Sequence, residues 1–282
     1  MKKYLIYHDV VQEAGLGNTL LCYNYALNMA AVNHQELIVS RCIAGHGLGN
    51  NFEFESFFGL DQHSDSWIRY FTNINCNESE IIEYSYTYSS RKQRSNFSES
   101  KLFFKEKYEN TVSEKAKIFK NHNVSDKVNI AIHIRRGDMV GDEQSVKIYK
   151  DRILSDEWFK NALYKLIEIK KYNMKDLNIN IYSELQPNGV YYNENGTPSD
   201  LRKTFDFDNC TFYLNVNMYE CAYNMINADL FLGGYPKSIP MIISLYRDFF
   251  DRESYMDWHG LSYVRENNLR KTRCIAADGR ID

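Results

Sequence analysis

Apolar segments of strand length alternate with helical segments along both halves of this chain, which restricts it to an α/β fold with a mostly parallel sheet in each half. In the first half, residues 3–7 read as a short buried strand. An apolar helix follows over about residues 19–31, where Leu20, Leu21, Tyr25, Leu27 and Met29 cover much of its surface, and residues 36–40 read as a second strand. Residues 106–120 predict a charged helix, and residues 85–101, rich in Tyr, Ser, Arg and Lys without an apolar period, an irregular surface segment. The second half restarts with strands at 128–134, 177–183, 211–214 and 229–232 and helices at 156–170, 219–227 and 238–250. Asp156 and Glu157 sit at the favourable start of the first of these helices. At 282 residues the chain is long for one core, so two lobes are expected. The polar run at 121–126 places their boundary, giving lobes of residues 1–125 and 126–282.

Charge excludes several partners. A net charge of −3 gives no global attraction to nucleic acid or to an anionic membrane. No run reaches the ~20 apolar residues that span a bilayer. The start reaches Asp9 before any adequate apolar region, which does not fit a signal peptide. The expected compartment is the cytoplasm. The six cysteines are scattered without a C-x-x-C pair and read as reduced thiols. His34, His46 and His122 have no metal-ligand spacing and read as surface residues. The 22 Tyr and 16 Phe are expected chiefly in cores, although Tyr also suits a stacking surface.

The run Ile130-Ala131-Ile132-His133-Ile134-Arg135-Arg136-Gly137-Asp138 delivers two adjacent guanidiniums from a buried strand into a glycine turn. Arginine is rarely buried unpaired, and two neighbouring cations repel. At the carboxyl end of a strand in an open α/β sheet, where ligands bind, they fit a bound anion. A guanidinium meets a diphosphate bidentately and stays charged at any working pH. The alternative is an Arg135–Asp138 ion pair that fixes the turn.

His-x-Arg-Arg-Gly-Asp resembles the signature of the GDP-fucose-dependent fucosyltransferases of the α1,2 and α1,6 types. The longer run from His133 to Glu143 is most similar to the α1,6 group, which also carries Val-Gly-x-Glu at this spacing. The resemblance implies that an arginine of the Arg135–Arg136 pair holds the β-phosphate and that His133 lies by the nucleotide. It also implies that Glu143 is the general base and places Asp138 in the nucleotide site. A lysine of that group's proton relay is Met139 here.

Three further segments resemble the family in the expected order. Gly15-Leu16-Gly17-Asn18 before a helix resembles its first glycine turn, where free amides attract an anion. An ordinary tight turn is the alternative for Gly15, Gly17 and Asn18. Residues 179–184, ending in Glu184, resemble the family's strand with a terminal acid. Residues 219–238 resemble its last motif, a helix, an Ala-Asp strand and a serine turn. There the resemblance implies phosphate contacts from Lys237 and Ser238, where Pro236-Lys237-Ser238 replaces the usual paired serines, and guanine recognition by Glu220. An exposed helix carboxylate is the alternative for Glu220. Residues 41–125 align with nothing in the family.

Asp206-Phe207-Asp208 has the form of a metal-binding Asp-x-Asp, but the residues before it are too polar for the buried strand that motif ends. No metal or other cofactor is expected. The resemblance thus implies two Rossmann-like lobes of the GT-B kind, with the GDP-sugar site mainly on the second and the acceptor side on the first. The implied reaction is inverting transfer of L-fucose from GDP-fucose to a glycan hydroxyl. A different GDP-sugar such as GDP-mannose, or a catalytically silent binding protein, remains open. The acceptor also stays open among surface glycans, lipid-linked sugars and nodulation-type oligosaccharides, with residues 84–94 as the segment for acceptor contact.

Overall fold

The structure is a computed structural model that describes residues 3–8, 16–34, 36–39, 57–60, 80–85, 96–98, 100–149, 153–234, 238–276 and 278–282. Gly15, His46, Lys237 and residues 86–94 lie outside them. The chain forms two compact units. The first is Met1–Phe119 with Glu266–Asn268, and the second is Lys120–Arg265 with Leu269–Asp282.

In the first unit, β1 (Lys3–His8), β2 (Glu36–Val39) and β3 (Glu80–Ser85) form a parallel sheet in the order β2-β1-β3. The helix α1 (Leu16–Val32) connects β1 to β2. It begins three residues earlier than expected, so Gly17 and Asn18 form part of its first turn. The charged helix expected at 106–120 is two helices, α2 (Lys101–Glu109) and α3 (Val112–Ile118). Among the described residues of this unit, Tyr23, Phe57, Phe58, Phe97, Phe104 and Tyr108 are buried. Phe57 meets Phe58 and Tyr108 edge to face at 5.0 and 5.8 Å, and Phe104 meets Tyr23 and Phe97 at 6.1 and 5.5 Å.

The second unit is built on β4 (Val128–Ile134), followed by α4 (Glu143–Tyr149), α5 (Asp156–Lys170) and β5 (Leu177–Ser183). A short antiparallel hairpin of β6 (Tyr191–Tyr192) and β7 (Pro198–Ser199) precedes α6 (Leu201–Thr204) and β8 (Cys210–Leu214). Then come α7 (Met218–Asn227), β9 (Leu230–Gly233), α8 (Ser238–Phe249), β10 (Glu253–Asp257), α9 (Leu261–Glu266) and β11 (Thr272–Ile275). Six of these strands form one sheet in the order β11-β10-β9-β4-β5-β8, every pair parallel. Counted along the chain this is the doubly wound order 3-2-1-4-5-6, which reverses between β4 and β9. Both units are therefore α/β with parallel, Rossmann-like sheets, as the strand–helix alternation required.

The two faces of β4 carry different chemistry. Ile130, Ile132 and Ile134 join Phe159, Leu163 and Leu166 of α5 in one core. That helix presents its apolar residues at 159, 162, 163 and 166, the i, i+3, i+4, i+7 pattern of a buried face. Each buried Phe or Leu there contributes roughly 1.5–3 kcal/mol. Ser155 caps α5 by accepting from the Trp158 N–H at 3.0 Å, and Lys171 closes it in the left-handed conformation. The opposite face, under α7, is polar. Asn129, His133, Asn180 and Tyr182 are buried there with His122. His122 is therefore not a surface residue. Asn178 and Asn180 donate to its carbonyl at 3.1 and 3.3 Å, and its own N–H donates to Asn224 at 2.7 Å. Its ring stacks on Tyr213 at 3.8 Å.

At the amino end of the sheet, Arg247 of α8 is fully buried. It donates to the carbonyls of Met225, Ile226, Ala228, Asp229 and Glu253, tying the end of α7 to the starts of β9 and β10. Asp206 and Asp208 are exposed in the segment that enters β8, at this same amino end. This is the wrong end of a parallel sheet for a ligand site. Among the described residues no helix is long and apolar enough to cross a membrane.

Candidate functional site

The ligand crevice of a doubly wound sheet lies outside the carboxyl ends of the strands that flank the reversal. Here those strands are β4 and β9, which end in His133-Ile134-Arg135-Arg136 and Gly233-Gly234. The two motifs that the sequence singled out, 130–143 and 219–238, thus meet at the switch point. The register explains what sits beside them. Ile134 pairs with Ser183, so the next residues of the two strands, Arg135 and Glu184, are neighbours. The Arg135 guanidinium donates to the Glu184 carboxylate, with the two side chains 26% and 21% exposed. Glu184 is thus an acidic partner of Arg135 at this turn. It was legible as the strand's terminal acid but had no role in the sequence reading.

Arg136 follows the parity of Ile130, Ile132 and Ile134 and turns toward the α5 side. Its side chain is 1% exposed and donates to the Asp156 carboxylate, the Leu154 carbonyl at 3.0 Å and the Arg135 carbonyl at 2.9 Å. The Tyr191 hydroxyl donates to the same Asp156 oxygen at 2.7 Å, and Glu194 stands 3.8 Å from the guanidinium. Burial raises the Asp156 carboxyl above its ordinary range, an effect that Arg136 and Tyr191 partly offset. The adjacent arginines therefore face different surroundings. Arg135 is partly open at the crevice, while Arg136 is an interior cation that anchors the turn to α5.

The turn itself is tightly held. Gly137 adopts φ +41°, and a Cβ there would lie 2.6 Å from a Glu184 oxygen, so only glycine gives Glu184 its place beside Arg135. The Gln186 amide donates to the Gly137 carbonyl. Asp138 lies in the 3-10 turn Gly137–Met139. Met139, standing where the family has a relay lysine, is buried. Asp142 caps α4 through the Ser145 N–H at 2.8 Å, a bond that holds its carboxyl below the ordinary range. Glu143, the first residue of α4, is exposed and has no hydrogen bond or ion pair among the described residues.

His133 is buried on the α7 face, in register with Gly233 and Tyr182. Glu220, in the first turn of α7, keeps partial exposure but is occupied. One oxygen lies 3.0 Å from His122 Nε2, and the other accepts the Lys120 N–H at 3.2 Å. Burial pulls the His122 pKa down, opposed by Glu220. Beyond β9, Gly233 admits close packing, because a Cβ there would stand 2.8 Å from Pro240. Ser238 then opens α8. Its first-turn amides face the carboxyl end of the sheet, as those of any helix following a parallel strand do. Gly17 and Asn18 belong to the first unit. Among the described residues there is no cluster of three or more His, Cys, Asp or Glu able to hold a metal.

No protein-family model matches the chain, and no curated protein matches it. Among solved structures, the crystal structure of POFUT1 in its apo form is 12% identical, with a TM-score of 0.33, over 90% of this chain and 74% of that one. Two crystal structures of POFUT1 in complex with GDP-fucose are 12% and 13% identical, each with a TM-score of 0.30, over 88% of this chain and 70% of theirs. Likeness at this level carries no argument about donor, subfamily or mechanism.

Proposed function

We propose that this chain is a glycosyltransferase that takes its sugar from a nucleoside-diphosphate donor. GDP-fucose is the donor, and an acceptor glycan hydroxyl is the nucleophile. One observation carries the proposal: a partly exposed arginine of the His-x-Arg-Arg-Gly-Asp run stands at the switch point of a 3-2-1-4-5-6 sheet. A guanidinium has five donors in a planar fork that meets a phosphate bidentately, which fits Arg135, beside Glu184, for the β-phosphate. There it stabilises the charge that develops as GDP leaves, a preorganised electrostatic role.

In this reading Arg136 acts by holding the turn, and His133 backs the nucleotide from the buried face. Lys237, with Ser238 and the amides that open α8, completes the phosphate site. The Glu220 oxygens each retain a lone pair beyond their present partners and face the guanine N1 and N2 donors. Asp138 lines the same turn. The first lobe is the acceptor side, and the turn of Gly15, Gly17 and Asn18 is assigned to binding an anionic group of the substrate. The anomeric carbon inverts as the acceptor oxygen attacks. The resemblance assigns the acceptor's proton to Glu143.

The reading is tested by incubating the protein with GDP-fucose or GDP-mannose, with and without a chelator, and following GDP release. Release from GDP-fucose that survives chelation is expected. Release from GDP-mannose alone would change the donor sugar. Binding without release would favour the silent reading, which the buried Met139 and the unpartnered Glu143 motivate.

A further inference from the structure

We infer that His259, oriented by the buried carboxylate of Asp257, is the group that takes the proton from the attacking hydroxyl in the transfer proposed above. The inference rests on that reading and names a group to which neither the sequence motifs nor the resemblance points. Asp257 is the last residue of β10, and its side chain is 3% exposed. It begins the 3-10 turn Trp258–Gly260 without capping it through its side chain. A carboxylate taken out of water needs hydrogen-bonding partners. One of them is the ring of His259, whose Nδ1 lies 2.8 Å from Asp257 Oδ2. An ionised carboxylate only accepts, so Nδ1 carries the hydrogen, and in the neutral form of the ring the lone pair is on Nε2. The His259 side chain is 74% exposed, so Nε2 is accessible. A buried acid fixes the tautomer and orientation of an accessible imidazole, which is the arrangement of a general base supported by a third group.

The place in the fold matches the chemistry. β10 is parallel to β9, which is parallel to β4, so Asp257 and Arg135 lie at the same, carboxyl end of the sheet. One strand separates β10 from β4, and two strand spacings amount to about 10 Å. A β-phosphate, a sugar ring and an incoming hydroxyl fit within such a separation. Glu143 has no hydrogen-bonding or ion-pair partner among the described residues, whereas His259 has the buried carboxylate of Asp257. In the step, the acceptor oxygen forms its bond to the anomeric carbon as its proton passes to His259 Nε2. The bond from that carbon to the phosphate oxygen breaks, and its electron pair leaves with GDP. The imidazolium so formed is stabilised by Asp257 and later returns its proton to solvent.

The neighbours leave this assignment intact. β11 packs beside the turn and contributes Arg273 and Cys274. Burial pushes the Cys274 thiol up to about 12, so it is neutral. Arg265 and Asp282, which also act on Cys274, pair with each other at 3.8 Å. Asp257 is the acid that contacts the ring.

The test uses the whole protein with GDP-fucose or GDP-mannose, water serving as the acceptor hydroxyl, and follows GDP release. His259→Asn places an amide donor where Nδ1 was, so it keeps the bond to Asp257 and removes only the proton acceptor. The expected result is a fall in kcat of about 10²-fold or more, with GDP affinity and thermal midpoint unchanged. Asp257→Asn should also lower kcat with GDP affinity unchanged, and Glu143→Gln should lower kcat less than His259→Asn does. Wild-type turnover in His259→Asn, or a larger loss of kcat in Glu143→Gln than in His259→Asn, would overturn this inference alone. Absence of GDP release from either donor by the wild type would overturn the transfer reading, and this inference with it.

Discussion

Replacing Arg136 by Met should destabilise the second unit heavily while removing no group that reaches the crevice. The substitution keeps an unbranched chain of similar length and deletes a 1% exposed guanidinium. It leaves the Asp156 carboxyl buried, with the Tyr191 hydroxyl at 2.7 Å as its one remaining side-chain donor among the described residues and Glu194 as a like-charged neighbour. The Leu154 and Arg135 carbonyls also lose their donor. Breaking a buried pair from one side costs about 3–5 kcal/mol. For a unit of this size about 2–4 °C is lost per kcal/mol, so the thermal midpoint should fall by about 6–20 °C.

The deficit should depend on pH. Burial already raises the Asp156 pKa, and removing the opposing cation raises it further. A raised carboxyl contributes stability that is fully present below its unfolded value, about 3.9, and is lost as pH rises through the folded value. The gap between variant and wild type should therefore be widest near neutrality and narrow as pH falls toward 4. Urea unfolding followed by tryptophan fluorescence reads this, since Trp158 lies on α5 two residues from Asp156. A variant within about 1 kcal/mol of wild type that nonetheless loses GDP would refute the reasoning, because Arg136 would then be a ligand contact and not an anchor.

Arg247→Met removes a buried cation whose pKa burial pulls down to about 9, still charged at neutral pH. With five carbonyls losing their donor, we expect a loss of more than about 3 kcal/mol. Urea denaturation checks this, and GDP affinity of the folded fraction should be unchanged because the residue lies at the amino end of the sheet. His122 is held neutral by burial, and its lowered pKa gives stability that is present above the unfolded value and lost as pH falls through the folded one. His122→Gln should therefore flatten the decline in thermal midpoint between pH 7 and about 5, the range in which histidine ordinarily titrates. An undiminished decline would place its origin elsewhere.

The parts legible in the sequence were those where one period ran uninterrupted. β4 and α5 read correctly because Ile130, Ile132 and Ile134 alternate cleanly and residues 159–166 keep a helical stripe. β10 and β11 went unread: Glu253-Ser-Tyr-Met-Asp and Thr-Arg-Cys-Ile are short and half polar, and their pairing depends on β9 beside them. Without them the reversal of strand order could not be seen, nor could His259 be placed at the end of a strand. The division between the two arginines was within reach, since Arg136 shares parity with the isoleucines and Arg135 with His133. Knowing which parity is apolar required knowing that α5 covers it. His122 was read as a surface residue because it lies in a polar run. The signal that it is buried lies in Asn178 and Asn180, which mark the strand face that binds its carbonyl.

The most direct measurement is a calorimetric titration of GDP into the wild type and Arg135→Ala. The Arg135–Glu184 pair is partly exposed and contributes about 0–1 kcal/mol to folding, so the variant should unfold near the wild-type midpoint. A charge-assisted hydrogen bond to phosphate is worth about 1.5–3 kcal/mol, which corresponds to about a 10- to 100-fold loss of GDP affinity. That loss, in a protein of unchanged stability, is the predicted result. Equal GDP affinity in the two proteins would contradict the placement of the diphosphate at the switch point.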